Sequence, residues 1–223
     1  FGYESIKNTK NMRYNDRRLL VSYDAEIIDG LGNVTKIQWR NGVYSDDSVW
    51  WADSTTDAGK YLLGYTETMT DPYGTTTIRE WSTIREAYNS AKKVTSYHEV
   101  IKDVLGNVIS ISDWSNPTYD GDNITGYHEI TRDAYGNIYT KDWSAVFNDA
   151  KRITKVISKD KQTNRDLTTS ETETITTYEY DSENKLKSGV GKATIKGDDG
   201  FINTYTGTTD YTYAIINGQL KLI

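Results

Sequence analysis

Cysteine is absent from the 223 residues, proline, methionine and histidine occur twice each, and phenylalanine occurs three times. Without thiols there is no disulfide framework, no thiolate metal site and no cysteine nucleophile. No apolar run approaches the roughly 20 residues that carry a helix across a bilayer, so no membrane span is expected. Nor does the chain carry a basic excess. Its net charge is −6, and basic pairs such as Arg17-Arg18 and Lys92-Lys93 stand isolated. Nucleic-acid affinity rests on clustered cations that release phosphate counterions, so no nucleic-acid partner is expected.

What is abundant is large and amphipathic. The chain has 18 Tyr and 6 Trp within an apolar fraction of 36%, and its mean hydropathy is −0.70. Such rings bury an apolar body while keeping a polar handle for water or a partner. A thin, largely aromatic core is implied.

Four segments share one pattern: Tyr23 to Trp39, Tyr65 to Trp81, Tyr97 to Trp114 and Tyr127 to Trp143. Each runs Tyr, Asp, Gly, Trp at nearly fixed spacing, in units of about 30 residues. A turn-like position precedes each Tyr, at Asn15, Asp57, Asn89 and Tyr119, and a fifth such half-unit begins at Asn148. The central turns read DGLG, DPYG, DVLG and DAYG. Asp suits the first position of a type I turn, Pro72 the second, and Gly the left-handed fourth position that closes a three-residue hairpin loop. The flanks are rich in Val, Ile, Thr and Tyr, as strands are.

The expected fold class is therefore all-β, with tandem antiparallel β-hairpin repeats in a meander that forms an elongated or curled sheet. Equivalent residues are expected to form ladders across it. These are Tyr23, Tyr65, Tyr97 and Tyr127; Trp39, Trp81, Trp114 and Trp143; and Glu67, Glu99 and Glu129, with Lys36, Arg79 and Lys141 as intervening cations.

After about Ser158 the template dissolves into a Thr- and Glu-rich tract and resumes as hairpins with different turns. The expected organisation is a repeat array over residues 1–157, with an insertion near 40–60, and divergent hairpins over 158–223 that serve as a cap or a small second β domain. YEYDSENKL at Tyr178 to Leu186 and YTYAIINGQL at Tyr211 to Leu220 resemble, over short patches, the Tyr-Asp repeats of bacterial Rhs-type surface and toxin-shell proteins. The D-x-x-G-N turns are similar as well. This chain departs from that family in repeat spacing and in its use of Trp. The resemblance implies a large bacterial surface or secreted protein built of hairpins, and it transfers no functional residue.

Candidate sites compete with repetition itself. His98 and His128 stand at one phase of adjacent repeats, each in Tyr-His-Glu, which reads either as a zinc or proton-switch constellation or as a polar ladder inherited by duplication. The turns at Asp120-Gly121-Asp122-Asn123 and Asp198-Asp199-Gly200 carry oxygen ligands but lack the EF-hand spacing. No nucleophile elbow, phosphate-cradling glycine loop or paired-carboxylate context appears. No catalytic residue, metal or cofactor is expected, and the chain is not read as an enzyme. The best deviation is the insertion, whose Tyr44, Trp50, Trp51 and Tyr61 are candidate binding residues for a glycan or a protein partner.

The functional expectation is a structural extracellular or cell-surface β-repeat protein, bacterial, forming part of a fibre, filament, sheath or stalk. It would self-associate through edge strands or join neighbouring segments of a longer protein. The alternatives are an adhesin or carbohydrate-binding module, and a shell segment of a large secreted toxin.

Overall fold

The computed structural model describes residues 5–45, 61–216 and 219–223. The strands are β1 (Ile6–Tyr14), β2 (Leu20–Ile28), β3 (Val34–Tyr44), β4 (Leu62–Thr70), β5 (Thr76–Ser82), β6 (Ser96–Asp103) and β7 (Val108–Asp120). They continue as β8 (Asn123–Asp133), β9 (Ile138–Phe147), β10 (Ile153–Thr163), β11 (Thr169–Tyr180), β12 (Leu186–Asp198), β13 (Thr204–Ile216) and β14 (Gln219–Leu222). Their hydrogen-bonded order is the chain order, one 14-stranded sheet from β1 to β14 that does not close into a barrel. The fold is thus the all-β hairpin meander that the turn chemistry demands. Two compact units divide within β7, between Asp113 and Trp114. The position after residue 157 falls inside β10, which pairs along its length with both β9 and β11.

In the N-terminal unit the two sheet faces differ in chemistry. Tyr23 lies opposite Trp39 and Tyr65 opposite Trp81. The rings run Tyr23, Trp39, Tyr65, Trp81, Tyr97 with successive centroids 5.4–5.8 Å apart. Tyr and Trp therefore alternate in one ladder and do not form the two expected ones. The reason is that each repeat contributes two strands, so a Trp strand always separates two Tyr strands. The same interleaving places Arg79 between Glu67 and Glu99, pairing with both. Lys36 does not join them: it is three residues from Trp39, an odd offset that sends it to the other face, in register with Glu26.

The C-terminal unit opens with the same device, Trp114, Tyr127 and Trp143 at 5.9 and 5.3 Å. Lys141 faces Glu129 across the strand pair and reaches Asp160 at 3.8 Å. Beyond β10 the ladder residue changes from Trp to glycine. Gly189, Gly191 and Gly197 of β12 lie opposite Tyr213, Tyr211 and Tyr205 of β13. The Tyr205 ring occupies the space that a Cβ would fill at Gly197, and the Tyr178 ring lies 3.2 Å from where one would stand at Gly189. Rings laid over glycine strands shield backbone that carries no side chain of its own.

Among the described residues the buried apolar set is Ala25, Ile37, Trp39, Tyr61, Ala87, Trp114, Ala145 and Ala193, and no large side chain is fully enclosed. Half of that set is alanine. Stability therefore rests on cross-strand pairs more than on a continuous interior.

Candidate interaction surfaces

The insertion leaves β3 and returns to β4 at one point, where the Ser45 N–H donates to the Tyr61 carbonyl at 2.9 Å. Trp50 and Trp51 lie outside the described residues. Tyr44 donates its hydroxyl to the Leu20 carbonyl at 2.8 Å, and burial raises its pKa. Tyr61 is 2% exposed. Its ring lies beneath the Arg85 guanidinium, 3.7 Å from the centroid, and meets Tyr88 edge-on at 4.8 Å. Tyr88 in turn donates to the Leu62 carbonyl, and burial pushes its pKa up. Both described aromatics of this group are engaged in holding the base of the insertion.

Each histidine is paired with a neighbouring strand's aspartate. His98 Nδ1 is 2.8 Å from Asp113, and His128 Nδ1 is 2.6 Å from Asp142. Among the described residues no group of three or more His, Cys, Asp or Glu is gathered to hold a metal ion. Asp120 is held by Lys151 Nζ at 2.6 Å, and Asp199 by Asn203. The opposite face of the C-terminal unit carries bands of alternating sign: Lys159 pairs with Glu173 at 3.2 Å and Lys161 with Glu171 at 3.0 Å. These are repeated pairs of like kind. General acid–base or nucleophilic chemistry needs convergent unlike groups.

The aromatic ladders offer little to a sugar ring. Most ring faces within the rows lie against a neighbouring strand's ring, stacked at 15–22° within a hairpin and tilted at 34–42° between hairpins.

The turns hold their aspartates tightly. Asp29 Oδ1 accepts the N–H groups of Leu31 and Asn33, both at 2.9 Å, while Oδ2 accepts the Asn33 amide at 2.8 Å. Asp103 and Asp133 repeat this clasp with Asn107 and Asn137. In Asp29 and Asp103 the Asn side chain is the chief cause of a lowered pKa. In Asp133 burial is the largest influence and acts upward, and the bonds from Asn137, Tyr135 and Tyr139 together bring the pKa below the ordinary value.

The two outer strands differ. All nine residues of β1 are exposed, but Lys7, Lys10 and Arg13 stud it and two register shifts between Lys10 and Tyr14 bend it. Charges and bulges of this kind blunt an edge. At the other end β14 pairs only with Tyr213–Ile216. Among the described residues the outer edge of β13 from Thr204 to Tyr211 is uncovered, and that stretch, TYTGTTDY, carries a single charge. Edge strands are expected from the sequence; among the described residues β14 covers only the Tyr213–Ile216 part of β13. No helix among the described residues is long and apolar enough to cross a membrane. Comparison with protein-family models and with curated proteins finds no match to this chain.

Proposed function

We propose that this chain is a structural β-repeat element of an extracellular or cell-surface fibre, sheath or stalk, without catalysis, that extends by strand addition at the bare edge of β13. The observation that supports this reading most is the asymmetry of the edges among the described residues: β1 is guarded by three cations and two register shifts, the uncovered stretch of β13 by Asp210 alone. An exposed, β-prone edge with its backbone groups unpaired is a template for another strand. Addition of β13 to a different edge or segment is heterologous, so it propagates without closing, whereas β13 pairing with β13 of a second copy would close as a two-fold dimer. The incoming strand is a second copy of the chain or a neighbouring segment of a longer one.

Negative-stain microscopy across a concentration series tests the reading. Linear assemblies are expected for the native chain and dispersed particles for Thr206→Lys with Thr208→Lys, which place two charges on β13. Dispersed native particles at the highest concentration would remove the proposal. The adhesin or glycan-binding alternative rests on Trp50 and Trp51, since Tyr44 and Tyr61 are occupied in packing.

A further inference from the structure

The two ends of the strands use one turn geometry and opposite chemistry. Turns from an odd to an even strand begin at Asn15, Asn89, Asn148 and Asp181, and their fourth residues Arg18, Lys92, Lys151 and Asn184 have φ of 58–62°. Turns from an even to an odd strand begin at Asp29, Asp71, Asp103 and Asp133, with Gly32, Gly74, Gly106 and Gly136 in the same left-handed region. In both sets the first residue's carbonyl accepts the fourth residue's N–H.

The third residue is the tip. In the odd-to-even turns just named the tips are Arg17, Ala91, Ala150 and Glu183. In the even-to-odd turns they are Leu31, Tyr73, Leu105 and Tyr135, exposed by 73–91%. In the remaining two even-to-odd turns the third residues are Asp166 and Phe201, followed by Leu167 and Ile202, and the three apolar residues are all strongly exposed. Because polar residues and alanine satisfy the same geometry at the other end, turn formation does not explain large apolar tips. Folding gains nothing from them either, since they stay in water.

We infer that the even-to-odd turns are lipid-contacting prongs that seat the chain on a zwitterionic membrane surface. Three features favour a bilayer interface over other occupants. First, the tips need not surrender unpaired backbone donors on leaving water, because the Asp carboxylate already accepts the N–H of Leu31, Tyr73, Leu105 and Tyr135. Unsatisfied backbone groups are what a low-polarity medium penalises most.

Second, hairpins recur every two strands, so tips within a unit stand roughly 10 Å apart as separate projections. Isolated prongs suit a deformable surface; a rigid protein partner would need matching pits. Tyr and Leu at such positions are the side chains that settle into headgroup and upper acyl layers.

Third, each N-terminal prong is backed by a carboxylate, at Asp29, Asp71 and Asp103, and the C-terminal prongs carry Asp133, Asp166 and Asp199 against one cation, Arg165. A second copy presenting the same end would oppose like charge to like charge, as would an anionic leaflet. A choline headgroup offers the complementary sign.

Flotation of the full chain with phosphatidylcholine vesicles tests this. The native chain is expected to float. Joint replacement of Leu31, Tyr73 and Leu105 by Ser, and separately of Tyr135, Leu167 and Phe201, is expected to lower partitioning about tenfold or more, given the apolar area removed. Tyr73→Ser alone is expected to lower it several-fold. That residue is 91% exposed, so its replacement leaves the fold intact. Ala91→Ser with Ala150→Ser, at the polar end, should change nothing, and adding phosphatidylserine should weaken binding. The inference is overturned if the native chain stays unbound, if tip replacement leaves flotation unchanged, or if binding requires anionic lipid. Thr206→Lys with Thr208→Lys leaves every prong in place, so membrane contact and edge assembly fail independently.

Discussion

Arg18 holds a backbone conformation, φ 61°, that glycine occupies in the corresponding turn at Gly32. An L side chain there costs about 1–2 kcal/mol in local sterics, offset in part by the greater entropy that glycine loses on folding. Arg18→Gly is therefore expected to raise the urea midpoint, by about 0.5–1 kcal/mol of stability, and Gly136→Ala to lower it by about 1 kcal/mol or more. The Asp-Asn clasps set an acid limit. Asp29, Asp103 and Asp199 have folded pKa values below that of a free carboxylate, about 3.9 in the unfolded chain. Such a group adds its full contribution above the unfolded value and loses it as pH falls through the folded one. Denaturant midpoints should accordingly hold steady at neutral pH and fall below about pH 4. Asp103→Asn should flatten that fall, and an unchanged acid profile would show that the clasp does not govern it. The Asp-x-x-Gly spacing made these turns legible in sequence. The left-handed Arg18 and Lys92 were not, because nothing in their chemistry announces positive φ.

At the scale of strands, the ladder depends on small residues beneath large rings. A Cβ on Gly42 would meet the Trp39 indole and the Leu20 carbonyl, and neither can retreat: the indole is 7% exposed and the carbonyl belongs to the backbone. Gly42→Ala should therefore cost about 1–3 kcal/mol as overpacking. Gly197→Ala should cost less, because the group it meets is the end of the half-exposed Tyr205 ring. Equal costs, read as denaturant midpoints, would deny the ladder its role. The repeat showed which residues recur, and so identified Tyr23, Trp39 and their equivalents as ladder members. It did not show that Tyr and Trp interleave, since pairing joins strands within a repeat as well as between repeats. Lys36 misled for a simpler reason: face is set by parity, and one residue of offset from the phase of Arg79 reverses it.

For the whole molecule, hairpin chemistry repeated along the chain was enough to specify a sequential antiparallel sheet. The four tip residues Leu31, Tyr73, Leu105 and Tyr135 also stood at one phase of the template. Their significance emerged only against the polar tips of the opposite turns, a comparison that needs both sets placed at strand ends. The uncovered stretch of β13 was illegible because it depends on the register in which β14 pairs with it. Amide hydrogen exchange, compared between dilute and concentrated samples, tests the central claim directly: that the sheet formed by the described residues has one unguarded edge and assembles through it. Outward-facing amides between Thr204 and Tyr211 should exchange quickly in the dilute chain, while those of β11, paired on both sides, exchange slowly. On concentration the β13 amides should become protected and those of β1 exposed to solvent in the dilute chain should either follow, if β1 is the incoming strand, or stay fast, if another segment is. Protection of the outward-facing amides of Thr204–Tyr211 already present in the dilute monomer, or none gained at any concentration, would contradict the account.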